Sequence, residues 1–414
     1  MLKPEQAISQ RLLILGTGFG AFNLLRNLPS DFDITVVSPR NHFLFTPLLP
    51  STTVGTIEFR SIIEPIRHAR QNLRFYHATA ERLDPDHSMV ACRGLDWSDI
   101  FDVPYDMLVI AVGAISSTFD VPGVEEHALF LRELQDAQEL RGRIIACFER
   151  ANLPSLPAPE RTRQLHFVIC GGGATGVEFA AELHDFLSED LVRAYPHLVP
   201  EAQITIVEGG KEILSTFDER LRRYALDLFT RQRIRVVTNS PVVNVEAHSV
   251  SLADGSLISY GLLLWSTGNG PTAFVRDARL PKDSRSRILV DNNFRVKGFQ
   301  NIFAIGDCCC IEDSPLPATA QVAQQEGKYL ARAIPRIASS QPVAPFHYRN
   351  LGMLAYIGGD QALADTEAFK ASGRATWLFW RSAYLSRIVS LKNKVLVLFD
   401  WAKALIFGRD ISQF

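Results

Sequence analysis

Arg11-Leu12-Leu13-Ile14-Leu15-Gly16-Thr17-Gly18-Phe19-Gly20-Ala21 and, about 155 residues on, His166-Phe167-Val168-Ile169-Cys170-Gly171-Gly172-Gly173-Ala174-Thr175-Gly176 decide the reading of this chain. Each is an apolar strand that runs through a glycine-rich turn into a helix, the pattern of a dinucleotide cradle. Gly16 and Gly171 permit the tight turn, and Gly18 and Gly173 let the backbone approach a pyrophosphate. Ala21 and Gly176 allow close packing of helix on strand. The pyrophosphate then meets free N–H groups at a helix N-terminus, where the macrodipole favours negative charge. One such turn is weak support; two in one chain imply two nucleotides held so that electrons can pass between them.

At 414 residues, with 47% hydrophobic and 21% charged residues, the chain has room for two or three domains with ordinary cores. The net charge of −2 gives no reason to expect a nucleic-acid partner. Met1 to Gln10 carries Glu5 and no apolar run, so no secretory signal is expected, while a removed organellar presequence stays open. The cysteines are Cys92, Cys147, Cys170, Cys308, Cys309 and Cys310, with no C-x-x-C and no zinc spacing, so no metal is expected. A dithiol reductase would carry a cysteine pair soon after the first turn, and Asn41 to Pro50 has none. Cys308 to Cys310 reads as small buried residues opening a helix, with a redox-active thiol as the alternative.

Asp33–Val37 closes the first βαβ unit, and Tyr105 to Gly113 reads as a buried parallel strand leaving it. A Pro-rich linker, Asn152 to Glu160, precedes the second unit, whose next strand is Gln203–Val207. Leu262 to Gly268 mirrors Val109–Gly113, and Asn301 to Asp307 returns to a third strand-turn-helix. The expected fold is therefore α/β, with two Rossmann-like dinucleotide-binding domains, one inserted in the other. Glu208, ending its strand, is placed to accept from a ribose 2′-OH and repels a 2′-phosphate, which favours NADH over NADPH. The first site offers Ser38 and Arg40 instead, a pair that also suits a 2′-phosphate. Asp307, just before a helix, suits the ribityl and phosphate part of FAD, and the same residue suits an N-cap.

Ser38 to Pro50 (SPRNHFLFTPLLP), Ala304-Ile305-Gly306-Asp307 and Ala320 to Gln325 (AQVAQQ) resemble type II NADH:quinone oxidoreductases, the alternative dehydrogenases that pump no protons. The resemblance spans about Arg11 to Phe414, and the Ser38-Pro39-Arg40 variant and Trp-rich C-terminus look like the mitochondrial-type branch. It implies non-covalent FAD at the first turn, touching Gly16, Gly18, Phe19, Gly20, Ser38, Arg40, Thr46, Ala80, Gly113 and Asp307. It implies NADH at the second, touching Gly171, Gly173, Thr175, Gly176, Glu208 and Asn269. The implied domains are 1–125 with 285–350 for FAD, 126–284 for NADH, and 351–414 as a C-terminal membrane-associating region.

In this family the segment matching Ala320–Gln325 packs near the isoalloxazine and lines the quinone site. Gln321 and Gln325 are four apart and share one helix face, so their amides can donate to a quinone carbonyl, with Gln324 the third member. Ala320 and Ala323 leave room for a flat ring. Glu178, in the first turn after Gly176, either stabilises the macrodipole or sits near the nicotinamide–flavin stack as a tuning or proton-relaying carboxylate. Hydride transfer itself asks no acid or base of the protein, because the cofactor carries that chemistry.

From Arg374 to Phe414 apolar residues recur at helical spacing, interrupted by Arg381, Arg387, Lys392, Lys394 and Lys403. No run of about 18 apolar residues exists, so two amphipathic helices joined near Asn393, lying in the interface, fit better than a spanning helix. Seven basic and two acidic residues give the tail a local charge of +5, suited to anionic lipid. A helical hairpin packed on the core, or a homodimer contact, is the alternative. The expected protein is a peripheral membrane enzyme oxidising NADH and reducing a membrane quinone. It would lie on the cytoplasmic face of a bacterial membrane or on an organellar inner membrane. The alternatives are an NADPH-dependent reductase of a naphthoquinone or phylloquinone precursor, and an FAD- and NADH-binding sensor without turnover.

Overall fold

Arg11–Leu15 lies between two parallel neighbours, Asp33–Ser38 and Met107–Ile110, and its four aliphatic residues are completely enclosed. Such a run, apolar at every position instead of every second one, suits a strand covered on both faces. In this computed structural model, which describes residues 10–29, 32–95 and 99–412, the chain divides into two units. The N-terminal stretch through Ser9 lies outside the described residues.

The first unit holds the chain through Phe43, Glu64–Ile115 and Asn269–Arg349. Its sheet runs in the order Ile302–Ala304, Met107–Ile110, Arg11–Leu15, Asp33–Ser38, Arg74–Asp84, Met89–Gly94 and Ile100–Pro104. The first five strands are parallel and the last two antiparallel. The first cradle helix, Phe19–Asn27, crosses the helix Ala320–Ala338 at two glycines. A Cβ on Gly327 would stand 2.2 Å from the Gly20 carbonyl oxygen, so the crossing requires glycine at 327.

The second unit holds Leu44–Ile63, Ser116–Gly268 and Asn350–Phe414. Its parallel sheet runs Ile234–Val237, Gln203–Val207, His166–Cys170, Leu262–Trp265. The second cradle helix, Ala174–Phe186, carries an antiparallel sheet of Met353–Gly358, Gln361–Asp365 and Lys370–Gly373. The chain closes with helices Arg374–Arg387 and Leu391–Phe407.

These divisions differ from the expected ones at 125/126, 284/285 and 350/351. Residues 44–63 belong with the second unit because the short helix Leu49–Thr53 packs on Leu134–Ala151 and Ala174–Phe186. By its contacts the C-terminal region groups with the second unit. The strands anticipated at 105–113, 262–268 and 301–307 are shorter, since each leaves the sheet at its carboxyl end to form a turn. The Pro-rich linker becomes helical at Ala158. The C-terminal helices break at 388–390, and Asn393 lies inside the last helix, buried, with its amide donating to the Ile63 carbonyl (2.8 Å).

Candidate active site

The two turns are built alike. Gly16 has φ +107° and a Cβ there would stand 2.3 Å from the Ala111 carbonyl oxygen; Gly171 has φ +113° and would meet the Ser266 carbonyl oxygen at the same 2.3 Å. Only glycine fits either position. At Gly18 and Gly173, by contrast, a Cβ would meet nothing within 4 Å. Both are N-caps without a side-chain cap hydrogen bond. The helix Ala320–Ala338 is instead capped by the Thr319 hydroxyl, and Leu391–Phe407 by that of Ser390. Open space over two helix starts whose N–H groups no side chain caps is what a pyrophosphate requires. The residues present therefore fit two dinucleotides.

Around the second turn, Glu208 accepts from the N–H of Gly172 (2.7 Å) and of Gly210 (2.6 Å). Both carboxylate oxygens are thus fixed at the end of Gln203–Val207, with lone pairs left for a ribose. Gly173 and Thr175 are exposed and Gly176 is buried, where a Cβ would strike the Gly171 carbonyl oxygen at 2.1 Å. Asn269 starts a short strand and is assigned to the first unit.

Around the first turn, Gly20 lies against Ile305, and Gly113 is left-handed (φ +67°) with open space where a Cβ would be. Phe19 meets the Phe43 ring edge-on at 4.9 Å. Ser38 is buried; its hydroxyl accepts the Arg40 N–H (3.1 Å) and contacts the Thr17 hydroxyl (3.2 Å), which donates to the Arg40 carbonyl (3.1 Å). Ser38 therefore shapes the Ser38–Arg40 turn. Ala80 is buried opposite Cys92, and Thr46 opens a single turn in the second unit.

Asp307 lies in the turn Gly306–Cys308 and caps no helix, since the following helix starts only at Ala320. The structure reveals a residue that the sequence reading missed. Glu326 is buried, and its carboxylate accepts from the Gly306 N–H at 2.5 Å. Burial pushes its pKa up to about 7, partly countered by that hydrogen bond. A glutamate four residues after apolar Val322 and beside Gly327 was the available signal. Glu326, Gly306, Asp307, Cys309 and Arg287 line a small cavity of about 20 Å³, room for roughly one water.

Cys308 to Cys310 open no helix: Cys309–Ile311 is a strand paired with Ile288–Val290. Burial pushes the Cys308 thiol up to about 12 and raises Cys309 and Cys310, so thiolate chemistry is suppressed there.

Gln321, Gln324 and Gln325 all lie half-buried on the first turns of Ala320–Ala338. Gln325 exchanges two hydrogen bonds with Arg349, its amide donating to the carbonyl (2.9 Å) and its oxygen accepting the N–H (3.0 Å). One of its two amide N–H groups and its oxygen are thus engaged within the chain. Ala323 is buried beside Gly306.

Glu178 is 6% exposed and accepts from the Tyr356 N–H at 3.1 Å. Burial pushes its pKa up to about 8. It shares a helix face with Glu182, which accepts from the Ser51 (2.6 Å) and Thr56 (2.9 Å) hydroxyls, and with Asp185, which accepts from the Tyr356 hydroxyl (2.5 Å). Burial raises Glu182 also, opposed by the Arg409 charge. Arg409 pairs with Asp190 (2.7 Å) and Glu189 (2.8 Å). A carboxyl with Glu178's surroundings carries a proton near neutrality.

The last helix buries a mixed stripe of Asn393, Val397, Asp400 and Trp401 and leaves much of its apolar surface outside. Asp400 is buried and accepts from the Ser61 hydroxyl (2.6 Å) and the Glu58 N–H (3.0 Å), and Lys403 pairs with Glu58. Leu391, Val395, Leu398, Phe399, Leu405 (85%), Ile406 and Phe407 (79%) face outward. Between the two helices, the Arg381 guanidinium lies over Trp377 (3.9 Å) and Trp401 (4.7 Å). Among the described residues no helix is long and apolar enough to cross a membrane.

Two dinucleotide cradles of this build define a pyridine-nucleotide-linked flavoprotein reductase. Residues 10–327 match the family model described as pyridine nucleotide-disulphide oxidoreductase, and residues 350–410 match the NDH2 C-terminal domain. The chain is 47% identical to a probable NADH dehydrogenase of Dictyostelium discoideum, over 98% of this chain and 92% of that one. It is 40% identical to an internal alternative NAD(P)H-ubiquinone oxidoreductase, mitochondrial, of Solanum tuberosum, over 97% and 88%. A solved structure of NDH2 from Plasmodium falciparum in complex with NADH superposes with a TM-score of 0.93 at 27% identity, covering 98% of this chain and all of that one. The chain belongs to the type II NADH dehydrogenase family.

Proposed function

We propose that this protein oxidises NADH and reduces a membrane quinone to the quinol, without pumping protons, using FAD held in the first cradle. The observation that carries the reading is the matched pair of cradles, the second ending in a carboxylate clasped by two backbone N–H groups. FAD, when bound, supplies hydride acceptance and onward electron transfer. Gly16, Gly18, Phe19, Gly20, Gly113 and the Gly306–Asp307 turn hold it, with Ser38, Arg40, Thr46 and Ala80 as the remaining FAD contacts and Glu326 fixing the Gly306 backbone. Gly171, Gly173, Thr175, Gly176, Glu208 and Asn269 hold NADH, and Glu208 disfavours the extra phosphate of NADPH.

Glu178 holds a proton for quinol formation, a role supported by its burial and raised pKa. Gln321 and Gln324 are the quinone-facing amides, with Gln325 orienting their helix through Arg349. The outward apolar face of the last helix, within a tail of charge +5, attaches the protein to an anionic membrane surface, and the mitochondrial names of several relatives favour an organellar membrane over a bacterial one. Pairing of two copies through the same region is compatible with that attachment. The test is anaerobic: NADH added to detergent-purified protein should bleach a yellow flavin spectrum, and a short-chain quinone should restore it. A colourless protein that stays colourless after incubation with FAD refutes the reading.

A further inference from the structure

The two cradles are near copies, so the place where they differ is informative. In the first, two residues past Ala111, Gly113 is left-handed and open. In the second, two residues past Ser266, Gly268 is equally left-handed (φ +70°), but the Phe119 ring stands 2.6 Å from where its Cβ would be. Phe119 has φ +53° and Asp120 φ +56°, a region that bulky side chains avoid. Its ring is nonetheless 62% exposed, so burial does not explain the strain.

The base beneath the ring is firmly held. Ser117 accepts from the Trp265 indole N–H (2.9 Å), and its hydroxyl accepts the Phe119 N–H (3.3 Å). Arg132 donates to the Gly268 carbonyl (3.1 Å) and to the Ser116 hydroxyl (3.0 Å). Sheet order shows what belongs above this point. Glu208 follows Gln203–Val207, the pyrophosphate turn follows His166–Cys170, and Gly268 follows the next strand, Leu262–Trp265. A dinucleotide with its ribose at Glu208 and its phosphates at Gly173–Thr175 extends its other half over the carboxyl end of Leu262–Trp265.

We propose that Phe119 is a specificity residue of the second cradle, its ring packing against the nicotinamide half of the bound dinucleotide. The inference rests on the NADH-binding role given above. Its test titrates FAD-loaded full-length protein with NAD+ and with ADP-ribose, which lacks the nicotinamide, by calorimetry. Phe119→Gly should weaken NAD+ by about five- to tenfold while changing ADP-ribose by about twofold or less. Phe119→Tyr should retain both affinities. Because glycine tolerates positive φ, the thermal midpoint of Phe119→Gly should not fall. Unchanged NAD+ affinity in Phe119→Gly, or equal weakening of both ligands, overturns the proposal. A wild-type protein that binds neither ligand overturns the NADH-binding role and this inference with it.

Discussion

Glu178→Gln separates a buried acid from its proton while keeping its shape. The carboxyl titrates at about 8 in the folded chain against an ordinary 4.5, because burial penalises the charged form more than the Tyr356 N–H stabilises it. At about 1.4 kcal/mol per pH unit, the shift corresponds to a ceiling of about 5 kcal/mol. The sign follows from tighter proton binding in the folded state. Stability is greatest below the unfolded pKa, declines as pH climbs toward about 8, and is flat beyond. Glutamine has no proton to lose, so the variant escapes that decline. Thermal midpoints of the FAD-loaded protein at pH 5, 7 and 9 measure it. Wild type and variant should nearly coincide at pH 5, and the variant should be more stable by about 2 kcal/mol or more at pH 9, which is about 2 °C or more in a chain of this size. A difference between the two that stays constant across pH refutes the assignment of a neutral carboxyl.

Three further outcomes are expected. Gly171→Ala, forced against the Ser266 carbonyl, should retain its flavin spectrum and lose NAD+ binding in calorimetry; a normal NAD+ affinity contradicts the second cradle. Glu208→Ala removes two charge-assisted hydrogen bonds and should lower kcat/KM for NADH by about 10- to 100-fold while narrowing discrimination against NADPH. An unchanged NADH:NADPH ratio in steady-state kinetics counts against the ribose assignment. Leu405, Ile406 and Phe407 changed together to serine should reduce co-sedimentation with anionic vesicles at least about tenfold, leaving turnover with a water-soluble quinone unaffected. Full vesicle binding by that variant rejects the attachment face.

The cradles and Glu208 were readable in the chain because local backbone geometry fixes them: tight turns demand glycine, and a strand end places the acid. What escaped depends on distant partners. Gln325 looked like a free amide, yet Arg349, 24 residues on, engages its oxygen and one of its N–H groups. Glu326 sat beside the glutamines that drew the attention, yet its burial under the Gly306 turn follows from a helix crossing that spacing does not encode. The Cys308–Cys310 run suggested a helix start, and its strand pairing with Ile288–Val290 comes from tertiary context. The C-terminal periodicity was legible as amphipathic, but not which face turns inward. Asn393 and Asp400 join Val397 and Trp401 on the inward face by finding partners at Ile63, Ser61 and Glu58.

That mixed inner stripe would, under the proposed attachment, separate two events that most membrane-attached helices combine. A helix whose oily stripe must find lipid before it is stable has to be delivered during or soon after synthesis. Here the stripe that docks the helix to its own protein mixes apolar Val397 and Trp401 with Asn393 and Asp400, whose polar groups are already satisfied within the protein. Under the proposed attachment, the polypeptide would finish folding in water and adsorb afterwards as a completed object, and desorption would leave the tertiary structure intact. Attachment would then be an ordinary, salt-sensitive partition equilibrium, adjustable by lipid charge without cost to the catalytic halves.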